Sequence, residues 1–295
     1  MNASILRPNV AALNAPALEV SSLLAAAICI MLAAPAAMAA DASSWDGDAR
    51  SAMRLIAGNA RAGETLRAGI EIRLAPGWKT YWRYPGDSGV PPVIDFSKSE
   101  NVKSVTLSFP APHRFTGEDG SSIGYKGGVL LPLRVVAADA KRPVTLRVDL
   151  DYAICERLCV PAKGSARLDL DGARSAHDAA LGAAEAAVPK PARLGDEGAL
   201  AIRAIRREAG SPHPRVIVDV ASPAATPLDL FVEGPTADWA LPLPEPIAGP
   251  PGLRRFAFDL DGLPPGAIAD GARLRFTLTS GEQAIDVTAV LEPER

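Results

Sequence analysis

This 295-residue chain is short of several things that would mark a function. Charge of one sign is nearly balanced, 34 acidic against 31 basic residues for a formal net charge of −3, so no general field draws nucleic acid or anionic lipid. That argues against a polyanion-binding role. Beyond the first forty residues no apolar run approaches the about twenty residues of a membrane span. Only four methionines and three histidines are present, and no tract of either supports a dedicated copper carrier. With 25 glycines and 27 prolines the chain is not low in complexity, yet it is rich in turn formers for a helical protein. What remains, 48% hydrophobic and 22% charged residues, is the composition of an ordinary folded protein and excludes wholesale disorder and collagen-like repeats.

Residues 22–34 (SLLAAAICIMLAA) carry no charge and lead to Pro35 and Ala37-Met38-Ala39. The run is too short to span a bilayer and ends in an A-x-A site, so it reads as a secretory signal peptide of residues 1–39. Arg7 is the only basic residue before it. Cys29 lies in its apolar centre and is expected to leave with it. Two cysteines then remain, Cys155 and Cys159. An exported chain with so close a pair is expected to cycle through a disulfide in an oxidising compartment, and a Gram-negative periplasm fits best.

Along the mature chain the apolar residues recur with period two. Strands are expected at residues 66–74, 102–109, 129–136, 144–154 and 166–170, and again at 200–206, 215–220, 228–233, 239–243, 253–260, 272–279 and 284–291. Between the groups, Ser175 and Asp178 resemble a capping box ahead of an Ala-rich stretch to Val188 that Pro189 and Pro191 stop. The expected fold is all-β, with two immunoglobulin-like sandwich domains at residues 45–171 and 199–295 joined by an Ala/Pro-rich linker with a short helix at 172–198. Trp78, Tyr81, Trp82 and Tyr84 read as one wall of the first core.

The strongest motif is Cys155-Glu156-Arg157-Leu158-Cys159-Val160-Pro161. Upstream of it Val144, Leu146, Val148, Leu150, Tyr152 and Ile154 alternate with Thr145, Arg147, Asp149, Asp151, Ala153 and Cys155, which puts Cys155 on the polar face and within reach of solvent. A second strand ending near Leu170 can return antiparallel and bring the cysteines within disulfide range. Three readings stay open. A staple closing a loop of about five residues removes only about 2 kcal/mol of chain freedom, redox exchange uses the same pair as a switch, and two thiolates with His113 could hold Cu(I). Gly120-Ser121-Ser122-Ile123-Gly124 fits the esterase G-x-S-x-G pattern, but a β-patterned run follows where a helix is required. Asp169 to Gly172 and Asp259 to Gly262 repeat one another without the other ligands of a calcium loop and read as strand-ending turns.

With these residues assembled, the stretch from Trp45 to Leu170 resembles the N-terminal periplasmic domain of the thiol:disulfide interchange protein DsbD, in its ScsB-like branch. The matching segments are Gly77-Trp78-Lys79-Thr80-Tyr81-Trp82-Arg83, Pro85-Gly86-Asp87-Ser88-Gly89, Ile123-Gly124-Tyr125-Lys126, Leu131-Pro132-Leu133 and the run from Leu150 to Pro161. The resemblance implies an immunoglobulin-like sandwich in which Cys155 and Cys159 form a redox pair, fed by a thioredoxin-like protein or membrane thiol conduit and passing electrons to oxidised periplasmic proteins. It also implies that Cys159 meets partners and Cys155 resolves. A cap loop would correspond to residues 113–122, and Phe115, Tyr125, Tyr152 and Pro161 would serve as cap or partner-binding residues. No cofactor is implied. Family members continue into a membrane conduit and a thioredoxin-like domain, whereas this sequence ends at Arg295, so the expectation is either that the reductant is another protein or that the chain is not a reductase. The competing expectation is a copper-binding or purely structural periplasmic module.

Overall fold

The structure, a computed structural model, describes residues 40–293 apart from 61–64, 87–88, 118–119, 211 and 224–225. The expected signal peptide with Cys29, and Asp87, Ser88, Glu118 and Asp119 of the quoted segments, lie outside the described residues. The regular structure of the described residues is nearly all strand, with one helix, because apolar and polar residues alternate between glycine- and proline-rich turns.

Four sheets result. The first holds, in spatial order, β1 (Asp46–Gly47), β2 (Ser51–Gly58), β3 (Thr65–Leu74), β9 (Gly128–Ala137) and β6 (Val102–Leu107). The second holds β11 (Cys159–Leu170), β10 (Val144–Cys155), β4 (Lys79–Gly86), β8 (Gly120–Lys126) and β7 (His113–Gly117), with β5 (Val93–Asp95) also paired to β10. These two enclose one core that includes Leu55, Ile70 and Leu133 from the first sheet and Trp82, Ile123 and Leu146 from the second. The third sheet runs β12 (Lys190–Pro191), β19 (Gln283–Val290), β18 (Arg273–Ser280), β15 (Leu228–Glu233). The fourth runs β13 (Ala201–Glu208), β14 (Arg215–Ala221), β17 (Arg254–Asp259), β16 (Glu245–Ile247). Val218, Phe256, Phe276 and Val287 are among the residues of their shared core. The all-β sandwich architecture expected from the periodicity is what the chain adopts.

Two departures have physical causes. Residues 239–243 make no strand. Trp239, Leu241 and Leu243 are buried in alternation as the pattern required, but Pro242 and Pro244 have no N–H to give a ladder, and the short strand forms at Glu245–Ile247 instead. The Ala-rich stretch forms α1 (Asp178–Ala186), whose start is held by the Ser175 N–H donating to Asp178 Oδ2 at 3.1 Å and the His177 N–H donating to Ser175 Oγ at 2.9 Å. It does not stand free between the sheet pairs. Leu181 is fully buried in a hollow of the first sheet where Gly58 and Gly69 lie, and a Cβ on either glycine would stand 2.6 or 2.9 Å from it. Arg67 clamps the helix with two bonds to Glu185 at 3.0 and 3.1 Å. Among the described residues no helix is long and apolar enough to cross a membrane.

Candidate functional site

The β10–β11 hairpin sets the site. Its register runs without a break from Val144 opposite Leu170 to Cys155 opposite Cys159, because both strands keep strict period two over twelve residues. Glu156, Arg157 and Leu158 form the exposed turn, with the apolar Leu158 at 78% exposure. The cysteines form a disulfide with their Cα atoms 4.1 Å apart.

The two sulfurs do not share one environment. Cys159 is exposed. Cys155 lies on the face shared with Thr145 to Ala153, as the alternation required, but it is only 2% exposed, which corrects the expectation that it is open to solvent. The cause is the neighbouring strand. β4 pairs with the last two residues of β10, Thr80 opposite Ile154 and Lys79 opposite Cys155, and Tyr81, two residues on, packs with Ala153 and Cys155 in a small cluster of its own.

Tyr81 is the aromatic residue that touches the pair. Its hydroxyl stands 2.7 Å from Cys155 Sγ and 3.0 Å from Cys159 Sγ. A disulfide sulfur has no proton to give, so the phenol donates. Burial pushes the Tyr81 phenol above its ordinary value, which keeps that proton in place. Gly89 closes over the ring, since a Cβ there would come within 2.7 Å of it. Sequence reasoning placed Tyr81 in the core wall with Trp82. The readable signal was the phase of Lys79: Lys79 and Tyr81 face one side of the strand and Thr80 and Trp82 the other.

Lys79 and Lys126 complete this face as a pair that sequence reasoning also missed. They oppose one another across β4 and β8, and their ammonium groups lie 5.7 and 4.8 Å from the Phe115 ring centre. Lys79 donates to Ser122 Oγ at 2.8 Å. Burial, and then the like charge of Lys126, pulls Lys79 below the ordinary lysine value. Ser122 of the G-x-S-x-G segment therefore sits buried in a strand.

The other expected site residues separate into two groups. Pro161 is exposed, two residues beyond Cys159 on the same face of β11 and opposite Ala153. Phe115 is on β7 at the far edge of the sheet, three strands from β10, or roughly 14 Å at ordinary strand spacing. It therefore flanks the lysines and does not cover the sulfurs. Tyr125 and Tyr152 point into the core. The Tyr125 hydroxyl donates to the Pro110 carbonyl at 2.8 Å, and Tyr152 shares a hydrogen bond with Ser51 at 2.5 Å. Burial raises both phenols. His113 pairs opposite Gly124 on β7, so the structure does not bring it to the cysteines. Among the described residues no three His, Cys, Asp or Glu side chains are grouped to hold a metal.

The family model for the N-terminal part of the thiol:disulfide interchange protein DsbD matches residues 50–170. A crystal structure of the N-terminal periplasmic domain of ScsB from Proteus mirabilis superposes with a TM-score of 0.68, covering 85% of this chain and 98% of that one at 21% identity. No curated protein matches the chain. The match falls on the sheet pair that holds the hairpin and its disulfide. Over residues 50–170 the chain is a DsbD N-terminal-like domain.

Proposed function

We propose that the protein is an exported, periplasmic dithiol/disulfide relay, in which residues 45–171 carry the chemistry and residues 199–295 form a second sandwich domain that serves as scaffold. The observation that carries this reading is the asymmetry of the disulfide: one cysteine exposed, the other buried, with a phenol that donates to both sulfurs. A donor thiolate attacks the accessible Cys159 sulfur, the bond to Cys155 breaks, and Cys155 departs as a thiolate. The Tyr81 O–H is already aimed at that sulfur, so the charge forms against a hydrogen-bond donor in a water-poor site. The donor's second thiol then attacks its own sulfur in the mixed disulfide and releases Cys159. Two electrons have moved to the protein, and the two new thiolates take up protons according to pH. The reverse sequence reduces an oxidised partner, with Cys159 attacking and Cys155 resolving. A thioredoxin-like protein or membrane thiol conduit fits the donor role, and oxidised periplasmic proteins fit the acceptor role.

A cross-link over so short a loop contributes only about 2 kcal/mol to stability, which suits a bond meant to open. The test is the reduction potential, with variant trapping beside it. The potential should lie above the about −300 mV typical of structural disulfides. Cys155→Ala should accumulate a mixed disulfide through Cys159, while Cys159→Ala should trap far less because its remaining sulfur is buried. A potential below that range, with no exchange by a thioredoxin-like donor, leaves a staple in place of a relay.

A further inference from the structure

Four consecutive residues of β4 are committed to different neighbours. Tyr81 meets both sulfurs. Trp82 is fully buried against Phe231 of β15, ring centres 5.8 Å apart. Arg83 makes a two-pronged pair with Glu233, at 2.9 Å from Nε to Oε1 and 2.7 Å from Nη2 to Oε2. The Tyr84 hydroxyl donates to the Leu241 carbonyl at 2.6 Å. All three partners after Tyr81 belong to the C-terminal half, Phe231 and Glu233 on β15 and Leu241 in the segment after it.

The ladder explains why this matters. β4 and β8 pair regularly from Lys79 to Tyr81, then lose register until Gly86 opposes Ser122. Residues 82–85 are thus a long bulge, and Tyr81 is the last laddered residue before it. Bulges re-aim neighbouring side chains, and a bulge without ladder bonds must be fixed by something else. Here the C-terminal half fixes it. The Arg83 and Glu233 side chains are each only 17% exposed, so removing the Glu233 charge leaves Arg83 poorly solvated with only the more distant Asp286, 3.9 Å away, as counter-charge, and loosens the middle one of the three anchors of the bulge.

We propose that Glu233 is a positioning residue for the disulfide: through Arg83 it fixes the β4 bulge and so aims the Tyr81 hydroxyl at the two sulfurs. This rests on the relay reading above, and it gives the second sheet pair a part in the chemistry without a cysteine of its own. The coupling passes through one contiguous strand segment, where substitutions change a linked site by about two- to thirtyfold.

A double-variant cycle on the full chain tests it, with dithiothreitol as the probe and the second-order rate of disulfide reduction as the readout. Tyr81→Phe should slow reduction. Glu233→Gln should slow it about two- to thirtyfold with a cooperative unfolding transition retained. In the Tyr81→Phe background the Glu233→Gln change should have no further effect, because its route to the sulfurs is already gone. Should Glu233→Gln fail to fold, Glu233→Asp, which keeps the charge but shortens the reach, takes its place in the same cycle. Equal effects of the Glu233 change in both backgrounds, or no effect of Tyr81→Phe, overturn the inference while leaving the relay standing. A wild-type disulfide that dithiothreitol opens no faster than a structural one overturns the relay itself.

Discussion

Two of the long antiparallel hairpins, β10–β11 in the N-terminal half and β18–β19 in the C-terminal half, have tips that differ. The β18–β19 ladder runs from Arg273 opposite Val290 to Ser280 opposite Gln283, and its turn uses Gly281 at φ 57°, a backbone state in which a side chain is strained. Glu282 and Gln283 there are exposed. The β10–β11 ladder ends instead on a three-residue turn between two cysteines. A neighbouring strand reaches the last rung of both hairpins, Leu228 of β15 opposite Ser280 in the one and Lys79 of β4 opposite Cys155 in the other. β4 pairs with β10 only at Ile154 and Cys155, whereas β15 pairs with β18 along its length. Ladder geometry is common to both. What makes one tip chemically distinct is a pair of cysteines and an adjacent strand that delivers a phenol to them, with Cys155 buried and Cys159 left exposed.

The halves are also joined unequally. Phe231 and Leu243 come from the C-terminal half yet sit in the N-terminal core. Phe231→Ala should therefore produce the largest effect, a loss of about 3–5 kcal/mol, and it should be felt in both halves. Amide hydrogen exchange reads this directly: protection of β10 and of β18 should fall together. A drop confined to β18 would show two energetically separate bodies. Next in size is reduction of the disulfide, which should cost about 2 kcal/mol by loop entropy, measured as the shift of the urea midpoint in the full chain. A cost well above that would mean the native tip depends on the bond for its packing, and the contrast with the uncross-linked β18–β19 tip would then be one of stability more than of chemistry.

Much of this was legible in the sequence for a simple reason. A strand buried on one face writes its phase into the residues, so Val144 to Ile154 and the run at 166–170 gave the antiparallel return and put the cysteines near its turn, while the register and the start of β11 at Cys159 come from the structure. The alternation fails where a second layer covers the polar face. Cys155 and Tyr81 are buried there by one another, and period two carries no trace of what lies on the solvent side. Trp82 and Tyr81 are adjacent aromatics with opposite destinations, separable only by the phase of Lys79. The hollow at Gly58 and Gly69 that receives Leu181 is a contact between segments more than a hundred residues apart in sequence, and nothing local to the helix announces it. The bulge after Tyr81 is legible in part, since Pro85 and Gly86 mark a break in the ladder, but the contacts of Trp82, Arg83 and Tyr84 with the C-terminal half leave no trace in β4.

The smallest expected effect is electrostatic and distinguishes a carboxylate inside one sheet from one at the junction of the halves. Asp219 on β14 is gripped by Arg255 at 2.6 Å and Arg206 at 2.7 Å, and these bonds, the Arg255 one foremost, hold its carboxyl below the ordinary 3.8. Asp229 on β15 faces Arg114 of β7 at 2.7 and 3.1 Å, but burial outweighs the pairing and its carboxyl is raised above 3.8. The signs are therefore opposite. A lowered folded-state value gives stability that is present above the unfolded value and lost as pH falls through the folded one; a raised value gives stability present below the unfolded value and lost as pH rises through the folded one. Urea unfolding of the wild type, Asp219→Asn and Asp229→Asn across the acid range to neutrality separates them. The penalty of Asp219→Asn should be greatest at neutral pH and close as pH drops below about 3.9. For Asp229→Asn the difference from wild type should shift the other way, growing less unfavourable as pH rises from that point. Parallel profiles would mean that the junction solvates its charges as well as the sheet does, and that the two halves meet through an interface far wetter than the packing of Phe231 and Arg83 implies.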